Sequence, residues 1–211
     1  MRKMEITCIG HSGFLVGLEQ YNLIFDYFTD KSNIITPDIF KNKNTCVFVS
    51  HRHSDHYNKK IFGWRSLGSV VYVLDIGCEV PHNLNGAEII TVREGESVDI
   101  FGGAVKIKTF GSTDEGVSFL VKQGDNVIFH AGDLNDWYWE DESTPEELIE
   151  YEENYLSIVR KLAGQRIDVA FIPEDPRLGR NAGRGIEYFR QIAAPDRIIP
   201  MHFPGSDGVK Y

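Results

Sequence analysis

The segment Ser50-His51-Arg52-His53-Ser54-Asp55-His56 places three imidazoles and one carboxylate directly behind an apolar run at residues 46–49. Three of the chain's seven histidines fall here. Imidazole nitrogen and carboxylate oxygen are the donors that zinc and harder divalent cations take, and a catalytic cation keeps one position open. A turn that follows a strand converges neighbouring side chains on one point, which a regular helix or strand cannot do for four near neighbours. Alternation sets His51 and His53 on one side and leaves Asp55 and His56 for a second cation. A solvated polar loop with chance histidines is the competing reading, and the clustering argues against it.

The elements that must position this segment are mostly strands. Apolar runs at 6–9, 14–16 and 23–25 are separated by glycines and by Tyr21-Asn22, which reads as a meander of hairpins. Compact runs at 46–49, 70–74 and 88–91 follow, and residues 105, 107 and 109 alternate as in a half-buried strand. Residues 117–121 and 126–130 flank Gln123-Gly124-Asp125 as a hairpin. Thr144-Pro145-Glu146-Glu147 opens a helix with a capping box and a proline at the first position, and Gly164 suits its C-terminal end. Leu148, Tyr151, Tyr155, Ile158 and Leu162 give that helix one apolar face. A strand at 168–172, a second helix over about 185–193 and a strand at 197–200 complete the chain, with Pro195 as the break. No linker or repeat interrupts the order, so the reading is one domain, 1–211, in which two mixed sheets bury these runs with helices outside.

Composition narrows the function. With 42% apolar and 25% charged residues over 211 positions, the chain is an ordinary globular one and not a disordered one. The formal charge of −9, without a Lys/Arg cluster, argues against nucleic acid as a partner. Eight of the acids lie in 140–153 and read as the solvated face of the first helix. No apolar run approaches membrane-spanning length. The N-terminal Met1-Arg2-Lys3-Met4-Glu5 is charged and lacks a small-residue cleavage site, so no signal peptide is expected. Cys8, Cys46 and Cys78 form no CxxC pair and suit a reduced cytoplasm.

His51-Arg52-His53-Ser54-Asp55-His56 resembles the HxHxDH motif of the metallo-β-lactamase superfamily. Asp26 after the run at 23–25, Asp133 in His130-Ala131-Gly132-Asp133, and His202 after the run at 198–200 fall in the order of that family's further motifs. Gly10-His11-Ser12-Gly13-Phe14 resembles a subgroup related to L-ascorbate-6-phosphate lactonase. The resemblance spans about residues 5 to 205 and implies an α/β fold, an αββα sandwich of two mixed sheets flanked by helices. It also implies metal ligands at His51, His53, Asp55, His56, Asp133 and His202, with Asp133 between two ions.

One departure stands out. The family supplies a further histidine between HxHxDH and the GD aspartate, and here no histidine lies between His82 and His130. The corresponding stretch reads Gly111-Ser112-Thr113-Asp114-Glu115-Gly116. Asp114 is either a substitute oxygen donor, which favours Mn²⁺ or iron over zinc, or a turn residue.

Around this centre, His11 reads as a pocket residue or a hydrogen-bonded turn residue, and Trp137 as a substrate wall or a staple of its loop. Arg177 or Arg180 reads as an anion anchor, or Arg177 as a local partner of Glu174 or Asp175. His130 reads as a buried hydrogen-bonded histidine and His82 as an exposed turn residue. The expected activity is hydrolysis of a small molecule, a lactone or a phosphorylated metabolite, by water activated on one or two Zn²⁺ ions, with Asp55 and Asp133 orienting it. A metal-binding protein without catalysis, acting as sensor or scaffold, is the competing function, and a two-iron redox role a third.

Overall fold

The structure, a computed structural model, describes residues 4–205 and 207–211; the charged residues Met1, Arg2 and Lys3 of the N-terminal reading lie outside the described residues. Val-, Ile- and Phe-rich runs punctuated by glycines form two six-stranded sheets. The first holds β1 (Glu5–Gly10), β2 (Gly13–Gly17), β3 (Tyr21–Phe25), β4 (Asn44–Val49), β5 (Val70–Asp75) and β6 (Glu88–Val92), in that spatial order. β1 to β3 form the antiparallel meander, and β3 to β6 run parallel. The second sheet holds β7 (Ser97–Ile100), β8 (Val105–Phe110), β9 (Ser118–Gln123), β10 (Asn126–His130), β11 (Val169–Pro173) and β12 (Ile198–Met201). It is antiparallel from β7 to β10 and parallel from β10 to β12. α1 (Pro145–Val159) precedes β11, and α2 (Arg184–Ala193) precedes β12.

Both sheets are mixed, as expected, and one core joins them. Cys46 and Phe48 of β4 meet Phe119, Phe129 and Phe171 of the second sheet. Val47 and Val49, on the opposite face of β4, pack with Phe40, Ile61, Phe62 and Tyr72. Burial on both faces is why residues 46–49 read as an unbroken apolar run. That outer face is covered by the 3-10 turns Pro37–Phe40 and Lys59–Ser66, not by α-helices. α2 packs on β11 and β12, and α1 packs on α2, with Tyr155, Val159, Ile186 and Phe189 in the shared core.

The capping box of α1 is present: Glu147 N–H donates to Thr144 Oγ1, and Thr144 N–H donates to the Glu147 carboxylate. The helix ends earlier than its apolar period, because residues Arg160–Leu162 tighten into a 3-10 turn before Gly164, whose φ is 75°. β7 carries no sequence signal of its own. It is a four-residue edge strand with Ser97 and Asp99 exposed. The C-terminal residues cover the free edge of β1, with Cys8 N–H donating to Val209 O and Tyr211 N–H to Ile6 O. No described helix is long and apolar enough to cross a membrane.

β1, β3, β4, β8, β10, β11 and β12 all point the same way along their sheets. Their C-terminal ends deliver, in turn, His11, Asp26, residues 50–56, residues 111–116, Asp133, Asp175 and His202 to one edge of the sandwich.

Candidate metal centre

The centre is held from beneath by Asp26, fully buried and in the left-handed region with φ 42°. Its Oδ1 accepts from Ser50 N–H at 2.8 Å, and its Oδ2 accepts from Ser50 Oγ–H at 2.6 Å. His56 Nδ1 lies 2.8 Å from the same Oδ2. Ser50 Oγ, already donating to Asp26, is left to accept from His51 Nδ1 at 3.0 Å. His202 Nδ1 reaches Asp175 Oδ2 at 3.0 Å, and His53 Nε2 reaches Glu115 Oε2 at 3.1 Å. Each of these acceptors fixes a tautomer, so His51, His56 and His202 keep an Nε2 lone pair and His53 keeps Nδ1.

Those free nitrogens converge on Asp133. His51 Nε2 is 3.5 Å from Asp133 Oδ2, while His56 Nε2 and His202 Nε2 are 3.1 Å and 3.4 Å from Oδ1. The two carboxylate oxygens therefore face two different groups. One group is His51, His53, Asp114 and Asp133, and the other is His11, Asp55, His56 and His202. In each, one donor atom per residue lies within 4.8 Å of all the others. Asp114 falls where the third imidazole is missing, with Oδ2 3.7 Å from His53 Nδ1.

Four polar atoms at the floor are buried and make no hydrogen bond: His11 Nε2, His51 Nε2, His56 Nε2 and Asp133 Oδ1. Leaving one such group unsatisfied costs about 1–3 kcal/mol. Four together, all nitrogen or carboxylate donors and divided between the two groups, fit a pair of divalent cations, which would satisfy them. The electrostatics agree. Burial would raise the Asp133 carboxyl, but His202 and His56 beside it hold it well below the usual carboxylate range. Burial would lower His56, but the carboxylates of Asp133 and Asp26 outweigh it and raise the imidazole, so that a cation at Nε2 would take the place of a proton there. His11 beside Asp55 holds that carboxyl below its ordinary range against partial burial. The site thus attracts positive charge into a buried place.

Two glycines let the surrounding loops press on the HxHxDH turn. A Cβ at Gly116 (φ 76°) would lie 2.0 Å from Ser50 O, and one at Gly132 (φ 56°) would lie 2.6 Å from Ser50 Cβ. Val117 N–H donates to that same Ser50 oxygen.

A cavity of about 410 Å³ opens above. Its floor includes His53, Asp55, Asp114, Asp133 and His202, and its wall Trp137, Trp139, Tyr151 and Arg177. Trp137 does two things at once: it lines the cavity, and its Nε1–H donates to Asp133 O at 3.0 Å, fastening its own loop. Arg177 pairs with Asp175, Nε to Oδ2 at 2.9 Å, and lies against Trp139. Arg180 pairs with Glu140 outside this cavity. His130 is fully buried, bonded to Ser12 O through Nε2, and accepts from Gly132 N–H at Nδ1. His82 is exposed. The orienting partners Ser50, Glu115 and the His202-facing side of Asp175 carry no signal in the sequence, except that Ser50 precedes the motif and Glu115 follows Asp114.

Residues 5–147 match the family model described as a beta-lactamase superfamily domain. Over 212 residues the chain is 22% identical to a UPF0173 metal-dependent hydrolase of Desulforamulus reducens, covering 95% of this chain and 84% of that protein. A UPF0173 metal-dependent hydrolase of Pyrococcus abyssi is also 22% identical, over 216 residues with the same coverages of 95% and 84%. Among solved structures, a metallo hydrolase from the archaeon Ignicoccus hospitalis has a TM-score of 0.66 at 18% identity, covering 95% of this chain and 82% of that one. A diiron β-hydroxylase from Streptomyces venezuelae has a TM-score of 0.64 at 11% identity, covering 96% of this chain and 45% of that one. At these identities the structural likenesses show a shared fold.

Proposed function

The chain belongs to the metallo-β-lactamase superfamily, and from that premise we propose that it is a metal-dependent hydrolase of a small molecule. Two cations would be held side by side, one by His51, His53, Asp114 and Asp133, the other by Asp55, His56 and His202 with the second oxygen of Asp133. The observation that carries this reading is the set of four buried, unbonded donor atoms at and behind the cavity floor. A bound divalent cation supplies an acidified water and polarises the scissile carbonyl or phosphoryl oxygen.

The chain's own residues do the rest. Asp26, Ser50, Glu115 and Asp175 hold the imidazoles in the tautomers that present lone pairs inward. Asp55, half exposed on the floor and kept ionised beside His11, is the group placed to orient a water and take its proton. Asp133 orients from the other side. Trp137 and Trp139 give the substrate a flat wall, and Arg177 gives an anionic substituent a partner. This wall supports a lactone or phosphorylated small molecule over a polymer, and the formal charge of −9 weighs against nucleic acid.

Zinc suits the imidazoles, while the carboxylate Asp114 in place of an imidazole shifts preference towards Mn²⁺ or iron. Both sheets build one core and one site, which supports reading the chain as a single domain. The three buried cysteines fit a cytoplasmic setting. A purely structural metal protein is not favoured, because the relatives are named hydrolases and the donors line an open cavity.

The test is elemental analysis of the purified protein, paired with a panel of lactones, thioesters and phosphodiesters. We expect bound transition metal and turnover in one class that is lost on chelation and regained on adding metal. A protein that holds no metal after reconstitution overturns the proposal.

A further inference from the structure

His11 stands apart from the cavity wall, and its geometry belongs to the floor. We propose that His11 is a fourth protein donor at the Asp55–His56–His202 position and takes no part in the His51–His53 position. This rests on the two-cation reading above.

Three independent observations carry it. The first is the orphaned atom. His11 Nε2 is buried without a hydrogen bond, although Asp55 Oδ2 is 3.4 Å away. Its ring lies 5.6 Å from that of His56 and 4.2 Å from that of His202, and one donor atom from each of the four residues falls within a 4.8 Å spread. A cation at about 2.0–2.2 Å from each donor spans such a group after small side-chain shifts.

The second is the backbone. His11 has φ 52° and His202 has φ 71°, both left-handed and neither glycine. Such a conformation persists where the surroundings hold it, and it clusters at functional sites. Here the two strained turns are tied directly together, with His202 N–H donating to His11 O at 3.3 Å. The β1–β2 turn and the loop after β12, nearly two hundred residues apart in the chain, are thus locked so that their imidazoles share one point.

The third is the burial of the imidazoles. The His11, His56 and His202 side chains are 20%, 0% and 5% exposed, and of this group Asp55, at 47%, is the half-exposed member. His11 and His56 lie behind the cavity lining, where Asp55 and His202 meet it. A cation there would take three shielded imidazoles, Asp55 and an oxygen of Asp133, so the loss of one imidazole is read at that position alone.

The test is His11→Gly, because glycine adopts φ 52° without strain and the turn is preserved. Zn²⁺ and Mn²⁺ are titrated calorimetrically into metal-free wild type and variant, and melting is followed with and without metal. We expect one of two binding steps to weaken by roughly tenfold or more and the other to stay unchanged. The metal-free melting temperature should hold while the rise on adding metal shrinks, and free imidazole should restore the weakened step. His11→Asn, which also tolerates the left-handed region, serves if the glycine variant folds poorly. Two unchanged steps overturn the role of His11, as does a destabilised metal-free protein with normal metal binding, which marks packing alone. Equal weakening of both steps overturns the division of labour. A wild type that takes up fewer than two equivalents overturns the two-cation reading itself and this inference with it.

Discussion

The two donor groups meet at Asp133, which belongs to one and turns its second oxygen to the other, yet they are made of different material. One takes His53 and Asp114 from exposed turns, with only His51 and Asp133 buried. The other takes His11 and Asp55 from partly exposed turns and His56 and His202 from buried positions, these two each with the far nitrogen on a buried carboxylate, Asp26 and Asp175. Affinity follows preorganisation as well as donor count: a buried, hydrogen-bonded imidazole loses little freedom on binding, and an exposed one loses more. The buried group should therefore hold its cation more tightly. Titrating a chelator against the loaded protein should release metal in two steps, and a single step for two equivalents would erase the difference between the groups.

The strongest way to break the comparison is at the residue the groups have in common. Asp133→Ala should empty both positions and lower hydrolysis by orders of magnitude, seen in metal content and turnover together. Retention of one equivalent at wild-type affinity would mean the groups do not depend on a shared carboxylate.

Removing the strut beneath both groups comes next. Asp26→Ala leaves Ser50 and His56 unsupported in a buried place, and breaking such an interaction costs about 3–5 kcal/mol. For a chain of this size that is roughly 2–4 °C of melting temperature per kcal/mol. Thermal melts of the metal-free variant should show it, with both metal steps weakened. A variant as stable as wild type would show that the hydrogen bonds to Asp26 contribute little.

Asp175→Ala separates the groups. It frees His202 Nδ1 and should weaken only the tighter step, by about 10- to 100-fold, as calorimetry with Zn²⁺ would read. Arg177 loses the same partner, so Arg177→Ala serves as the control that should leave metal binding in place while changing KM for an anionic substrate.

The smallest effect is expected at Asp114. An exposed carboxylate at the looser position should matter by only a few-fold, so Asp114→Ala should shift the weaker step alone. Asp114→His should strengthen it and move its preference from Mn²⁺ towards Zn²⁺. If both variants bind as wild type does, Asp114 is a turn residue and the first position lacks a third side chain of its own.

Much of this was legible in the chain. The clustering of His51, His53, Asp55 and His56 is local, and local clustering behind a strand survives any folding detail that keeps the strand. Period-two and two-sided apolar runs marked β1 to β6 and most of the second sheet, and the capping box marked the start of α1 to the residue. β7 was not legible, because four residues with two exposed polar ones at a sheet edge carry no pattern. Nor was the strand-like pairing of the C-terminal residues with β1, which depends on which edge is free.

The donor chemistry is set by residue type and order along the chain: which residues offer nitrogen and oxygen, and at the end of which apolar run. The absence of one imidazole, with a carboxylate near its place, is legible in the same way. How these donors are shared out follows from the packed fold. Asp26 meets His56 across 30 residues and Asp175 meets His202 across 27, and His11 meets His202 through the ends of strands in different sheets. Such contacts follow from strand order and from the direction in which seven strands point, and no local preference encodes them. Burial then shields His51, His56 and His202 and leaves His53, Asp55 and Asp114 half exposed, because desolvation is a property of the packed sandwich and not of any segment within it.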